Sequence, residues 1–136
     1  MAFADAQTGG LILDGSMPVE VTLASTVSKG DAIGYSTGWK RALAAAGSVI
    51  QLKAVAAMDG KTGDKIAAYF GKARLGGRFS GATIGNPIYV AEKTDNGKYT
   101  ETAPSTQNDA TKIVGYAVTA TEVVLDPNAN ADSVAS

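Results

Sequence analysis

From Val19 the chain alternates apolar and polar residues with a period of two. Val19, Val21 and Leu23 fall on one face and Glu20, Thr22 and Ala24 on the other, the pattern of a half-buried strand. Ser28-Lys29-Gly30-Asp31 marks a turn, Ala32–Ser36 a second strand, and Ser36-Thr37-Gly38 a turn into Trp39–Leu43. Ala42–Ala46 has the highest local helix propensity, but Gly47 ends it after about one turn, so a loop is expected. Val49–Met58 and Lys65–Leu75 are apolar segments flanking Asp59-Gly60-Lys61-Thr62-Gly63-Asp64, which predicts strand, loop, strand. Ile88–Ala91 and Lys98–Thr102 flank Asp95-Asn96-Gly97, a hairpin signal. Lys112–Thr119 and Glu122–Leu125 form a last pair around Ala120-Thr121. Together these predict roughly eight to ten short strands and an all-β fold, a compact barrel or sandwich spanning residues 18–126.

The two ends read differently. Gly9-Gly10-Leu11-Ile12-Leu13-Asp14-Gly15-Ser16 is a short apolar run between flexible residues, too short for a stable helix. Residues 1–17 therefore read as an extended arm able to add a strand to another protein, or as an ordinary first strand of the domain. Residues 127–136, opened by Pro127, have the composition of a flexible tail.

Three segments share a form: Gly30-Asp31-Ala32-Ile33-Gly34-Tyr35, Gly63-Asp64-Lys65-Ile66-Ala67-Ala68-Tyr69 and Gly85-Asn86-Pro87-Ile88-Tyr89. Each predicts a turn in which Gly takes a positive φ, Asp or Asn bonds nearby amides, and Ile enters the core. Metal binding is the poorer reading, because one Asp per turn does not supply the clustered oxygens that calcium requires.

Composition narrows the chemistry. The chain has 136 residues, enough for one domain. It has one Trp, three Phe and three Met, but 16 Gly, so the core is built from thin layers. Cys and His are both absent. That excludes disulfides and thiolate metal sites, and it removes the commonest general base and metal ligand. The acids are scattered and form no general acid and base pair. Gly60-Lys61-Thr62 is like the end of a phosphate-binding loop, but the earlier glycine is missing from its required position. No catalytic, cofactor or metal residue is assigned, and the protein is expected not to be an enzyme.

The net charge of −1 is unevenly spread. All Lys and Arg lie between Lys29 and Lys112, whereas the segments before and after hold six acids and no base. Absence of a basic tail argues against nucleic acid. A cluster of Lys65, Lys72, Arg74 and Arg78 interleaved with Tyr69, Phe70 and Phe79 suits a single-stranded nucleic acid, but alternating strand residues explain it equally well. No apolar run is long enough for a transmembrane helix, and the N-terminal residues lack the basic head and apolar block of a signal peptide. Folding in the cytoplasm, with no membrane partner, is expected.

The order of signals resembles the small head-decoration (capsid cement) proteins of tailed phages. The residues that carry it are Val19-Glu20-Val21-Thr22-Leu23, Val27-Ser28-Lys29-Gly30-Asp31, Gly85-Asn86-Pro87-Ile88-Tyr89-Val90, Ile113-Val114-Gly115-Tyr116-Ala117-Val118 and Val123-Val124-Leu125. The resemblance spans about residues 19–126, and the Gly-rich stretch around Lys72–Thr83 is longer than in the simplest members. It implies a β-barrel or β-tulip domain on the outer capsid surface, often trimeric, with an N-terminal arm reaching the major capsid protein. In that arrangement Phe3, Leu11, Ile12 and Leu13 are the expected capsid contacts. Trp39 and Arg41 are candidates for an intersubunit contact, with a cap on the barrel core as the plainer role for Trp39. Another virion part (a tail-tube, head-fibre base or receptor-binding module) is the main alternative. A carbohydrate-binding module is disfavoured, because a lone Trp gives little aromatic platform.

Overall fold

The computed structural model describes residues 3–92 and 96–136. In chain order its strands are β1 (Ala4–Asp5), β2 (Leu11–Gly15), β3 (Pro18–Thr22), β4 (Ala32–Tyr35), β5 (Trp39–Arg41), β6 (Ala54–Ala56) and β7 (Lys65–Tyr69). These are followed by β8 (Ala73–Gly76), β9 (Phe79–Ser80), β10 (Pro87–Val90), β11 (Tyr99–Thr100), β12 (Gly115–Thr119) and β13 (Glu122–Leu125). No helix occurs among the described residues, so none is long and apolar enough to cross a membrane. Ala42–Ala46 runs as a loop, as Gly47 predicted.

The strands form a six-stranded sheet ordered β11-β10-β12-β13-β8-β2, a five-stranded sheet ordered β3-β7-β6-β4-β5, and a small β1-β9 pair. All the strand pairs are antiparallel. The alternation in β12 and β13 puts Ala117, Val123 and Leu125 inside. They meet Ala32, Leu52 and Val55 from the five-stranded side in one larger core. A second, smaller core of Val21, Leu23, Val27, Ile33, Ile66 and Ala68 fills the inside of the five-stranded sheet.

The expected barrel is not closed. The five-stranded sheet curls until the residue after β3 meets β5, but the junction is a single bridge, Leu23 with Trp39. There the Ala24 amide donates to the Trp39 carbonyl at 2.8 Å. A closed barrel needs a full ladder at that seam. Here β3 is drawn elsewhere, because residues 11–22 pair continuously with 65–76. Leu11 opposes Gly76, Gly15 opposes Ala73, Pro18 opposes Tyr69 and Thr22 opposes Lys65. Between the two halves the Ser16 amide donates to the Lys72 carbonyl and the Phe70 amide to the Met17 carbonyl. This ribbon bends from one sheet into the other at Met17, which has a φ of 52°. A Cβ on Gly71 would stand 2.3 Å from Ser16 Oγ, so the two chains approach closely at the bend. The same bend divides the expected Lys65–Leu75 strand into β7 and β8.

The repeated turns are present. Gly30, Gly63 and Gly85 have φ of 90°, 92° and 89°. In each case the next residue's amide donates three residues back: Asp31 to Ser28, Asp64 to Lys61 and Asn86 to Thr83, as in type II turns. Ile33, Ile66 and Ile88 are buried in the cores. A fourth copy, Thr106-Gln107-Asn108-Asp109, has Asn108 at φ 73° in the glycine position, and its Asp109 amide donates to Thr106 at 2.9 Å. The sequence hid this copy because Asn replaces Gly and no Ile follows.

Residues 127–136 fold back on the domain. Val134 bridges Ala110. Asp132 accepts from Lys112 at 2.8 Å and from Lys53 at 2.6 Å. Lys112 is buried and also donates to the Leu52 and Pro127 carbonyls. Burial lowers its ammonium from the ordinary value, against the opposing pull of Asp132.

Candidate interaction surface

Strands β2 and β3 are the edges of their sheets, so the 11–22 ribbon leaves a strand edge of both sheets open. Edge strands of natural proteins carry protection in the form of charge, proline, bulges or cover. This ribbon has a bulge between Ile12 and Asp14 and the proline Pro18. It nevertheless exposes Leu11, Leu13, Met17 (65 %) and Val19. Behind it, the outer face of the six-stranded sheet aligns Tyr116, Val124 and Arg74 on neighbouring strands. Tyr116 and Val118 are exposed there, and Arg74 Nε donates to Glu122 Oε1 at 3.0 Å. Gly76 has no side chain, and the position of its Cβ lies 3.2 Å from Glu122 Cγ and 3.6 Å from Leu13 Cδ1. Leu13 thus extends the apolar part of the sheet face as far as the open edge.

The structure separates the four expected capsid contacts. Leu11 and Leu13 are exposed on the edge. Ile12 faces inward against the larger core, as does Phe3, whose ring stacks on Phe79 at 5.7 Å. Met17, Tyr116 and Val118 are exposed as well, although the sequence pattern did not single them out. Val19, expected on the buried face with Val21 and Leu23, is exposed instead because it lies on the open edge strand. The signal was available in Gly115-Tyr116-Ala117-Val118, where apolar residues fall on both faces of one strand.

Trp39 lies at the seam of the five-stranded sheet, packed against the smaller core. Its ring is edge-on to Tyr35 at 5.5 Å and to Phe70 at 5.6 Å. Arg41 is two residues along β5 but points into a different cluster. Its Nε donates to Asp31 Oδ2 at 2.7 Å, and Asp31 Oδ1 accepts from Arg78 Nη1 at 2.9 Å. Arg78 also forks onto Asp5, Nε to Oδ1 at 2.7 Å and Nη2 to Oδ2 at 2.8 Å. Asp5, Asp31 and Arg78 are buried. Burial alone would lower the Arg78 guanidinium, but the hydrogen bonds and charge of Asp5, with Tyr99 and Asp31, raise it. The guanidinium carbon lies 5.7 Å from the centre of the Tyr99 ring, and the Tyr99 hydroxyl donates to the Gly30 carbonyl at 2.8 Å. Burial pushes that phenol well above its ordinary value, against the pull of Arg78.

The mild basic cluster is therefore not one surface. Lys65, Lys72 and Arg74 are exposed, whereas Arg78 is 2 % exposed and Phe79 is buried beside it. Among the described residues no group of three or more Asp or Glu could hold a metal ion. Comparison with protein-family models, with curated proteins and with solved structures finds no match.

Proposed function

We propose that this chain is a capsid decoration protein of a tailed phage, folded in the host cytoplasm, that binds the outer surface of the assembled head and bridges major capsid protein subunits. The observation that carries the proposal is the open ribbon of residues 11–22, an edge of both sheets with Leu11, Leu13, Met17 and Val19 exposed along it. A free edge offers main-chain donors and acceptors to a strand of another protein, and the flanking apolar side chains select which strand. The pattern resemblance over residues 19–126 names the kind of partner. On this reading the N-terminal segment is the family's arm, and it works from the rim of a β-tulip-like body with Ile12 and Phe3 anchoring it from beneath. A trimer would engage several sites together, so modest contacts sum by avidity. Binding only the assembled lattice stabilises it by mass action. Trp39, with exposed Tyr35 beside it, is the candidate contact between copies, and Arg41 supports that strand through Asp31.

The test is binding of purified protein to undecorated mature capsids, with its solution mass measured in parallel. Saturation at a fixed ratio to the major capsid protein is expected. Leu13→Lys and Val19→Lys should abolish binding while leaving the thermal midpoint unchanged. If the wild-type protein binds no capsid form, the decoration reading fails and the search moves to tail and fibre partners.

A further inference from the structure

A cleft of about 360 Å³ opens between β5 and the segment that follows β3, and none of its lining residues belongs to the open ribbon. Gln7, Ser25, Thr26, Lys40, Arg41 and Asn96 line it, with Ile50 as the apolar wall. Among the described residues that line it there is no carboxylate. Asp31, which bonds the Gln7 and Arg41 side chains of the lining, is buried and fully occupied. Its Oδ1 accepts from Arg78 and Gln7, and its Oδ2 accepts from Arg41 and the Ser28 amide. Four donors fill the acceptor sites of one carboxylate. Asp31 therefore has nothing left for the outer nitrogens of Arg41, of which only Nη2 is seen donating, to Ser28 Oγ.

The charges around the cleft do not cancel. Among the described residues Asp5 and Asp31 pair with Arg41 and Arg78, and Lys40 adds a positive charge to the lining. Its ammonium is seen donating only to the neutral Thr37 hydroxyl, at 3.1 Å. A second and separate observation comes from Ser25. Its hydroxyl is the one buried side-chain polar atom among the described residues with no hydrogen-bond partner, and Ser25 lines this cleft. An unpaired buried hydroxyl is costly to keep. The oxygen is closed off from solvent as it stands, and a turn about χ1 is what aims it into the cleft.

The geometry points to an oxyanion-binding site. A single carboxylate or phosphate group placed in the cleft would accept from Lys40 Nζ, the outer Arg41 nitrogens and the Ser25 and Thr26 hydroxyls. Charge-assisted bonds of this kind are the strong ones, and a guanidinium fork matches either group. The oxyanion comes from free phosphate or from an acidic side chain or terminus of a bound protein. This inference does not depend on the decoration reading, since it is tested on the purified chain with a probe of low molecular mass and no capsid.

The experiment is titration of the purified full chain with inorganic phosphate and, separately, with acetate, at constant ionic strength and pH 7. The readouts are the backbone amide shifts of Thr26, Arg41 and Asn96. Saturable shifts with at least one anion are expected. Saturation by acetate assigns the site to a carboxylate, and saturation by phosphate alone assigns it to phosphate. Lys40→Ala should weaken binding about tenfold, as fits the loss of one bond to a charged group. Ser25→Ala separates the site from a mere packing flaw. It should weaken binding by a similar factor and also raise the thermal midpoint, because the unpaired hydroxyl is gone. If neither anion saturates, or if Lys40→Ala and Ser25→Ala bind like wild type, the inference is overturned.

Discussion

Replacing Arg78 by Met tests the central structural claim, that one guanidinium ties together segments far apart in the chain. Arg78 joins Asp5 of β1 to Asp31 of the first repeated turn, and it also donates to the Lys29 carbonyl at 3.0 Å. Breaking a buried ion pair from one side costs about 3–5 kcal/mol, because the remaining charge is stranded. Here two carboxylates lose their partner, but neither is left bare. Asp5 still accepts from the Gln7 and Tyr99 amides, and Asp31 still accepts from Arg41, Gln7 and the Ser28 amide. That places the cost near the lower end, about 3 kcal/mol, against a total stability of about 5–15 kcal/mol for a domain of ordinary kind. Urea denaturation followed by Trp39 fluorescence and by far-ultraviolet circular dichroism measures it, since Trp39 is the chain's one tryptophan. Arg78→Met combined with Asp5→Asn should lose less than the sum of the two single changes, as directly bonded residues do. A loss under about 1 kcal/mol would refute the reasoning, being the value of an exposed pair. So would new proteolytic cleavage confined to residues 6–10 with an unchanged unfolding midpoint, because the network would then hold only its own N-terminal strand.

Three further outcomes follow from the same structure. Asn108→Gly should be neutral or stabilising and Asn108→Ala should cost about 1–2 kcal/mol, because φ there is 73° and only the left-handed backbone is at stake; equal thermal midpoints for the two variants would refute the fourth-turn assignment. Gly63→Ala should cost a similar amount, although nothing lies within 4 Å of the added Cβ, so a variant as stable as wild type in urea would show that the backbone is not held at positive φ. Burial alone would raise the Asp132 carboxyl, but bonds and charge from Lys112 and Lys53 hold it below its ordinary value. Its contribution is therefore complete above the unfolded carboxylate range and fades as pH falls below about 4; the thermal midpoints of wild type and Asp132→Asn should converge on acidification, and parallel curves between pH 6 and pH 2 would be inconsistent with that pairing.

The strands were legible wherever one face alone is buried. Val21 and Leu23 announced β3, although Val19 in the same alternation is exposed, and the Gly-Asp and Gly-Asn turns announced β4, β7 and β10. The sequence was less informative where pairing is decided at long range. Lys65–Leu75 looks like one strand because both of its halves are apolar, and only the bend at Met17 and Gly71 divides it. The same holds for the barrel, since a single Leu23–Trp39 bridge in place of a ladder is a matter of curvature that no local pattern encodes. Within the site, Leu11 and Leu13 could be told from Ile12 by alternation, but Phe3 could not be placed without Phe79. Arg78 was read among solvated bases because its neighbours Lys72 and Arg74 are solvated; its partners lie at positions 5 and 31, beyond the reach of any local window.

Long-range pairing also accounts for the uneven charge. Of the six acids outside Lys29–Lys112, Asp5, Glu122 and Asp132 pair with bases inside it, namely Arg78, Arg74, and Lys53 with Lys112. The segregation along the chain is thus an instruction for folding back, since an acidic end has no base of its own and finds one only on the central body. Screening acts unequally on these pairs. Added salt should leave the buried Asp5–Arg78 fork in place and weaken the half-exposed Asp132 pairs. The N-terminal strand and the C-terminal segment are therefore held by the same kind of force but with different resistance to salt, and the C-terminal segment should be the first to release as ionic strength rises. Hydrogen exchange at the Thr111 and Ala135 amides, which donate to Ser133 and Asp109, measures that release against the Tyr99 amide on Asp5; equal acceleration of all three by salt would refute the distinction.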